Sequence, residues 1–145
     1  MRLPEKILQE TFNALLKCGQ GRCECVIYWT SPVGESEQID GWDHPTHRRS
    51  PWGYEIDDRW LTDYWFRLGR SRRKILAQVH THPKEAFHSA TDDCWPVISQ
   101  PGFASVVIPN FAIGPITLEG AWIGRLSSGG EWRSLNVSEG IEVTR

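Results

Sequence analysis

The run Glu24-Cys25-Val26-Ile27-Tyr28-Trp29 constrains the fold more than any other feature of the chain. It is β-branched and aromatic, bounded by glycine and proline, and shows no regular polar alternation. Such a segment reads as a strand buried on both faces at its centre. Ile75–His80 reads as a central strand and Phe103–Ile108 as another. Helices are available to cover them. Ile7, Leu8, Phe12 and Leu15 fall at helical spacing within Pro4–Lys17, with Pro4 near the first turn and Gly19-Gln20-Gly21 as the stop. A second helix starts at Asp57 or Asp58, with Trp60, Leu61, Tyr64, Trp65 and Leu68 as its apolar face. Its acidic start and basic end, Arg67–Lys74, both suit the helix dipole.

Between these elements the signal weakens. Residues 31–56 hold Gly34, Gly41, Gly53, Pro32, Pro45 and Pro51, which predicts an irregular hairpin around Gln38–Trp42 and a long loop from His44 to Tyr54. A short helix is expected over Thr91–Ser99. Ile116–Leu126 and Glu131–Val137, separated by Gly129-Gly130, read as a hairpin. The element order describes an α/β (α+β) fold, a mixed sheet flanked by helices. Without a linker or an internal repeat, residues 1–145 are expected to form a single domain.

Composition narrows the function classes. A chain of 145 residues can bury roughly 70% of its unfolded surface, and eight tryptophans supply large packing units without any need for disulfides. A formal charge of −2 gives no reason to expect nucleic acid or a membrane surface as partner. The basic clusters His47-Arg48-Arg49 and Arg70–Lys74 read as solvated loop and helix-end charge. Met1–Lys17 is interrupted by Glu5 and Glu10, so it reads as neither a signal peptide nor a span. Cys18, Cys23, Cys25 and Cys94 are then expected as thiols in a reducing cytoplasm. No Cys-x-x-Cys pair occurs, and Cys23 and Cys25 read as small core residues on one face of a strand.

The chemistry concentrates in Val79-His80-Thr81-His82-Pro83-Lys84-Glu85-Ala86-Phe87-His88-Ser89-Ala90-Thr91-Asp92. At a strand end His80 and His82 project from the same face and can reach one ion together. Asp92, from the helix that follows, can supply a third ligand. Two imidazoles and a carboxylate leave one tetrahedral position for water, the pattern of a catalytic zinc. Ser89 and Asp92 lie three apart and can face one side of a helical turn.

His-Thr-His-Pro followed by Ser-x-x-Asp resembles the signature of the JAMM (Mov34, MPN-plus) zinc metalloproteases. The likeness is specific at residues 80–92 and, in element order, extends over about residues 4 to 126. It implies a cytidine-deaminase-like JAB/MPN fold with one Zn²⁺ on His80, His82 and Asp92. Ser89 would then hydrogen-bond the developing oxyanion; as a plain residue reading, it is also a helix N-cap. The family's acid/base glutamate lies near the start of the first core strand, where this chain has Glu24; Glu35 and Glu37 are the rivals. The loop between Pro83 and Ser89 is shorter than the family's usual spacing, so Asp93 competes with Asp92 as ligand. Asp92 keeps the Ser-x-x-Asp spacing.

His88 corresponds to no ligand of the family and reads as support behind the ligands or as loop packing. His44 and His47 bracket Pro-Thr and read as an exposed or substrate-guiding loop ahead of a second metal site. Trp42, Trp52 and Trp95 either pack the core or line a groove for an extended peptide.

JAMM enzymes cut after the C-terminal glycine of ubiquitin-like proteins, and this sequence looks most like their small bacterial JAB-type members. The resemblance implies a bacterial isopeptidase or processing protease for a ubiquitin-like protein, beside E1- and E2-like partners in an antiphage pathway. Two alternatives stay open: a non-catalytic MPN scaffold and a different zinc-dependent amide hydrolase. A deaminase would want His-x-Glu and Pro-Cys-x-x-Cys, and neither occurs.

Overall fold

Pro4 and Gln20 delimit the first helix. A computed structural model describes residues 1–94 and 97–145, without the side chains of Asp93 and Cys94; the expectations for Asp93, Cys94 and Trp95 lie outside the described residues. After a short strand β1 (Arg2–Pro4), helix α1 spans Glu5–Gly19. Proline has no N–H to leave unpaired at a helix start, and Gln20, at φ 51°, closes the other end with its N–H on the Leu16 carbonyl. Strands β2 (Val26–Pro32), β3 (Gly41–Asp43), β4 (His47–Ser50) and β5 (Gly53–Ile56) follow. Helix α2 (Asp58–Ser71) is capped by the Asp57 carboxylate, which accepts from the Trp60 N–H, as the sequence pattern predicts. Then come β6 (Arg73–Thr81), α3 (Ala90–Cys94), β7 (Ala104–Ile108), β8 (Trp122–Leu126), β9 (Trp132–Leu135), α4 (Val137–Gly140) and β10 (Glu142–Thr144).

The main sheet runs β3-β2-β6-β7-β8-β9. Only β6 and β7 pair in parallel; their neighbours are antiparallel. The expected mixed sheet is therefore present. Alternation along β2 divides the interior. Ile27 and Trp29 join the α1 residues Ile7, Leu8, Phe12 and Leu15, whereas Val26 and Tyr28 join Tyr64 and Leu68 of α2. Successive side chains of a strand point to opposite faces, so a strand covered by a helix on each side is apolar at consecutive positions, here Val26–Trp29. The Trp29 indole N–H is satisfied by Thr11 of α1 at 2.9 Å. Leu15 is wholly buried in the first of these clusters. Leu15→Ala is therefore expected to cost about 2–5 kcal/mol, read as a lower urea midpoint at unchanged slope.

Several boundaries differ from the sequence reading. The long loop His44–Tyr54 contains the hairpin β4–β5, an element the apolar pattern does not announce. The helix expected over Thr91–Ser99 is α3, and residues 97–99 are not helical. Residues 116–121 belong to no strand, and Val137 opens α4, whose Asn136–Glu139 capping box ends the strand that precedes it. β1 and β10 pair in parallel across the chain.

The cysteines need the largest correction. Cys18 and Cys25 form a disulfide, so the thiol reading does not hold for them. Cys23 and Cys25 do not share a strand face, because β2 begins only at Val26. Gln20 stops α1 in a left-handed turn, which folds the chain back and sets Cys18 against Cys25. No helix among the described residues is long and apolar enough to cross a membrane.

Candidate metal centre

Register brings Glu24 to the histidines. β2 and β6 pair with Val26 opposite His80. Beyond that pair, Cys25 donates its N–H to the Thr81 hydroxyl at 3.0 Å and accepts from the Thr81 N–H. Glu24 is thus held at the mouth of β6, where His80 and His82 emerge on one face. The end of β6 is itself fixed, because His82 donates its N–H to Ile108 and accepts from Phe111.

His80, His82 and Asp92 offer three ligand atoms within 4.8 Å of one another. His80 Nε2 lies 3.4 Å from Asp92 Oδ1, and His82 Nε2 lies 3.6 Å from Oδ2. These separations are wide for hydrogen bonds. They match the edge of about 3.4 Å expected between two ligands held about 2.1 Å from one tetrahedral ion. Both imidazoles are buried, and both nitrogens of His80 and Nδ1 of His82 lack a hydrogen-bond partner among the described residues. Buried polar atoms left in that condition are costly unless something coordinates them. Burial also holds the His80 imidazole below its ordinary value, against the pull of Asp92, which favours the neutral form a ligand needs. The three residues fit a divalent metal ion.

Asp92 is oriented by Ser89. The Ser89 hydroxyl donates to Asp92 Oδ2 at 2.7 Å and the Ser89 N–H to the same oxygen at 2.9 Å, while the Asp92 N–H returns to Ser89 Oγ at 3.2 Å. Burial would raise this carboxyl, but the two imidazoles and the Ser89 N–H hold it well below the usual range. The helix-cap reading of Ser89 is therefore present in the geometry, and its one hydroxyl proton points at Asp92. Ser89→Ala should weaken metal binding by roughly 10–100-fold, as loss of a partner that orients a ligand does. A chelator-competition titration reads this directly.

Glu24 is buried. Burial raises its carboxyl to about 7, with His82 opposing the rise and Asp92 adding to it. A cleft of about 630 Å³ is lined by Glu24, His82, Ser89 and Asp92 together with Trp52 and Tyr54 of the β4–β5 hairpin and Phe87. A larger cleft of about 730 Å³ lies beside α2, but no imidazole lines it. The hairpin thus forms one wall of the site, tied down where Glu24 donates its N–H to Ser50. Tyr54 accepts from Gln78 at 2.6 Å and packs its ring 5.5 Å from that of His80.

The remaining candidates fall elsewhere. Glu35 is exposed, and Glu37 pairs with Arg125 and the N-terminus; neither lines the cleft. His88 stacks on Trp122 and contacts Ser105, the packing role expected of it. Trp42 packs against the core and donates to Glu10, whereas Trp52 stands 84% exposed at the hairpin tip. Tyr54 and Gln78 were not singled out from the sequence; neither carries a motif. His44 and His47 sit with Cys18 in a second group of metal-ligand type.

Comparison with known proteins adds two kinds of likeness. No protein-family profile matches the chain. A 61-residue stretch is 39% identical to the probable metalloprotease y4jG of Sinorhizobium fredii, covering 42% of this chain and 38% of that protein. The match thus spans well under half of that relative's length. The solution structure of DSY2949 from Desulfitobacterium hafniense superposes with a TM-score of 0.69 at 15% identity, covering 99% of this chain and 92% of the other. The crystal structure of AF2198, a JAB1/MPN domain protein from Archaeoglobus fulgidus, gives 0.52 at 14% identity, over 94% and 97%. At such identities the likeness is one of fold. The fold is that of JAB1/MPN domain proteins, a mixed sheet flanked by helices.

Proposed function

We propose that the chain is a zinc-dependent peptidase of the JAMM type, which cleaves the amide or isopeptide bond after the C-terminal glycine of a ubiquitin-like protein. One observation carries this reading: Glu24, from the start of β2, shares a cleft with the His80–His82–Asp92 group at the end of β6. The partial likeness to a probable metalloprotease and the JAB1/MPN fold support the same chemistry.

Zn²⁺ held by His80, His82 and Asp92 would acidify the attacking water and polarise the scissile carbonyl. The other steps belong to the chain. Glu24 accepts the proton of that water and passes it to the leaving amine. Ser89 holds Asp92 in its orientation; turned from Asp92, its hydroxyl would donate to the developing oxyanion. The walls of the cleft select the substrate. An extended glycine-rich tail can lie along the β4–β5 hairpin and pair with its main chain, beside the Trp52 and Phe87 rings that line the cleft. A role in a bacterial antiphage pathway, beside E1- and E2-like partners in the cytoplasm, belongs to the same proposal and rests on the sequence resemblance.

The test is cleavage of a ubiquitin-like protein fused through its terminal glycine to a reporter, with metal content measured in parallel. The reading predicts chelator-sensitive release of the reporter, restored by Zn²⁺. Release that persists in chelator would refute it.

A further inference from the structure

A second group of soft ligands lies at the base of the same hairpin. Cys18 is buried at the end of α1, and its Sγ lies 3.5 Å from His47 Nε2. An ion held by a sulfur at about 2.3 Å and a nitrogen at about 2.1 Å sets those atoms about 3.6 Å apart. His47 is already oriented for such a role. Its Nδ1 lies 2.8 Å from the Pro45 carbonyl, the partner that fixes an imidazole with its Nε2 lone pair free to ligate. The His44 ring stands 5.3 Å from that of His47, and one donor atom from each of Cys18, His44 and His47 lies within 4.8 Å of the others. Arg49 Nη1 approaches the same sulfur at 3.9 Å, a charge that favours a thiolate there. In the disulfide the sulfur cannot act as an anionic ligand.

We propose that reduction of the Cys18–Cys25 disulfide creates a second metal site, in which the Cys18 thiolate, His44 and His47 bind a thiolate-accepting divalent ion such as Zn²⁺. A dithiol reductant supplies two electrons and two protons; the S–S bond breaks, Cys18 and Cys25 become thiols, and the reductant becomes the disulfide. Metal binding then displaces the Cys18 proton to solvent. The fourth position falls to water or to the released Cys25. Thiolate and imidazole together select Zn²⁺ over Mg²⁺ or Ca²⁺.

The location gives the site a consequence. His47 begins β4, and its ring packs 6.2 Å from Tyr54, which in turn packs against His80. The disulfide ties the end of α1 to the start of β2. The metal would tie α1 to the hairpin that walls the cleft. Reduction therefore exchanges one clasp for another.

Co²⁺ titration of the full chain reads this site apart from the first, because His80, His82 and Asp92 include no sulfur. The chain reduced with a phosphine is expected to take up two equivalents, one with a thiolate-to-cobalt charge-transfer band in the near ultraviolet. The oxidised chain should take up one equivalent without that band. Cys25→Ser, which keeps Cys18 but cannot form the disulfide, should bind two without reductant, and Cys23→Ser should keep the band. The double variant His44→Ala/His47→Ala should lose the band and the second equivalent while keeping the first. A reduced chain without the band, or a band that survives in the double variant, overturns the proposal. A chain that takes up only the sulfur-bound ion supports this proposal and refutes the His80–His82–Asp92 reading.

Discussion

His80→Ala is expected to abolish both metal binding at the β6 end and reporter release, with catalytic efficiency falling by more than the roughly 10–100-fold that follows loss of a merely orienting partner. The argument starts from burial. His80 is fully enclosed, neither of its ring nitrogens has a hydrogen-bond partner among the described residues, and its charged neighbour at 3.4 Å is Asp92, the carboxylate that would share the ion. Removing the ring takes away one of three ligands and leaves His82 and Asp92 as a pair, too few to hold a tetrahedral ion firmly. The variant loses ring packing against Tyr54 and His82 and the 3.4 Å contact with Asp92, whose carboxylate keeps its bonds from Ser89. Its fold should therefore survive while its function does not. Metal analysis beside circular dichroism separates the two. A folded His80→Ala chain that retains one tightly bound ion at the β6 end would remove His80 from the centre.

How much of this was legible in the sequence depends on where each signal is stored. Val26–Trp29 announced a strand with two dry faces, and the structure sets its alternate residues in two cores. The Ser-x-x-Asp spacing likewise appears as reciprocal hydrogen bonds between Ser89 and Asp92. The β4–β5 hairpin was missed for a physical reason. His47-Arg48-Arg49-Ser50 carries no apolar alternation, and only Tyr54 and Ile56 of the partner strand pack inward, too short a pattern to announce a ribbon otherwise held by main-chain pairing and an Arg48–Glu55 contact. β1 and β10 are three residues each and lie at opposite ends of the chain, beyond any local pattern. The disulfide was equally hidden, since cysteine connectivity cannot be deduced from sequence. Glu24 shows the limit from the other side. Its position before the strand was readable, but its proximity to His82 depends on the register of β2 against β6. Register is a tertiary quantity.

Glu24→Gln should separate catalysis from metal binding. The substitution keeps the shape of the side chain and removes the proton acceptor, so metal content should match the wild type while reporter release falls by about 10²–10⁴-fold. Ionisation adds a second signature. Burial lifts this carboxyl from 4.5 to about 7, with His82 lowering it and Asp92 raising it. In the metal-free chain the folded state thus favours the protonated acid. Its contribution to stability is fully present below the unfolded value near 4.5 and is lost as pH rises through about 7. Glutamine does not titrate. The stability of the wild type relative to Glu24→Gln should therefore decline across that window, as urea midpoints in chelator would record. His80 and Asp92 titrate in both chains and largely cancel in the difference. With a cation beside it, the same carboxyl moves to lower values, so the base is available at neutral pH and activity falls on the acid side as Glu24 takes up its proton. A Glu24→Gln chain that keeps its metal and loses less than tenfold in activity would transfer the proton-carrying role to another group.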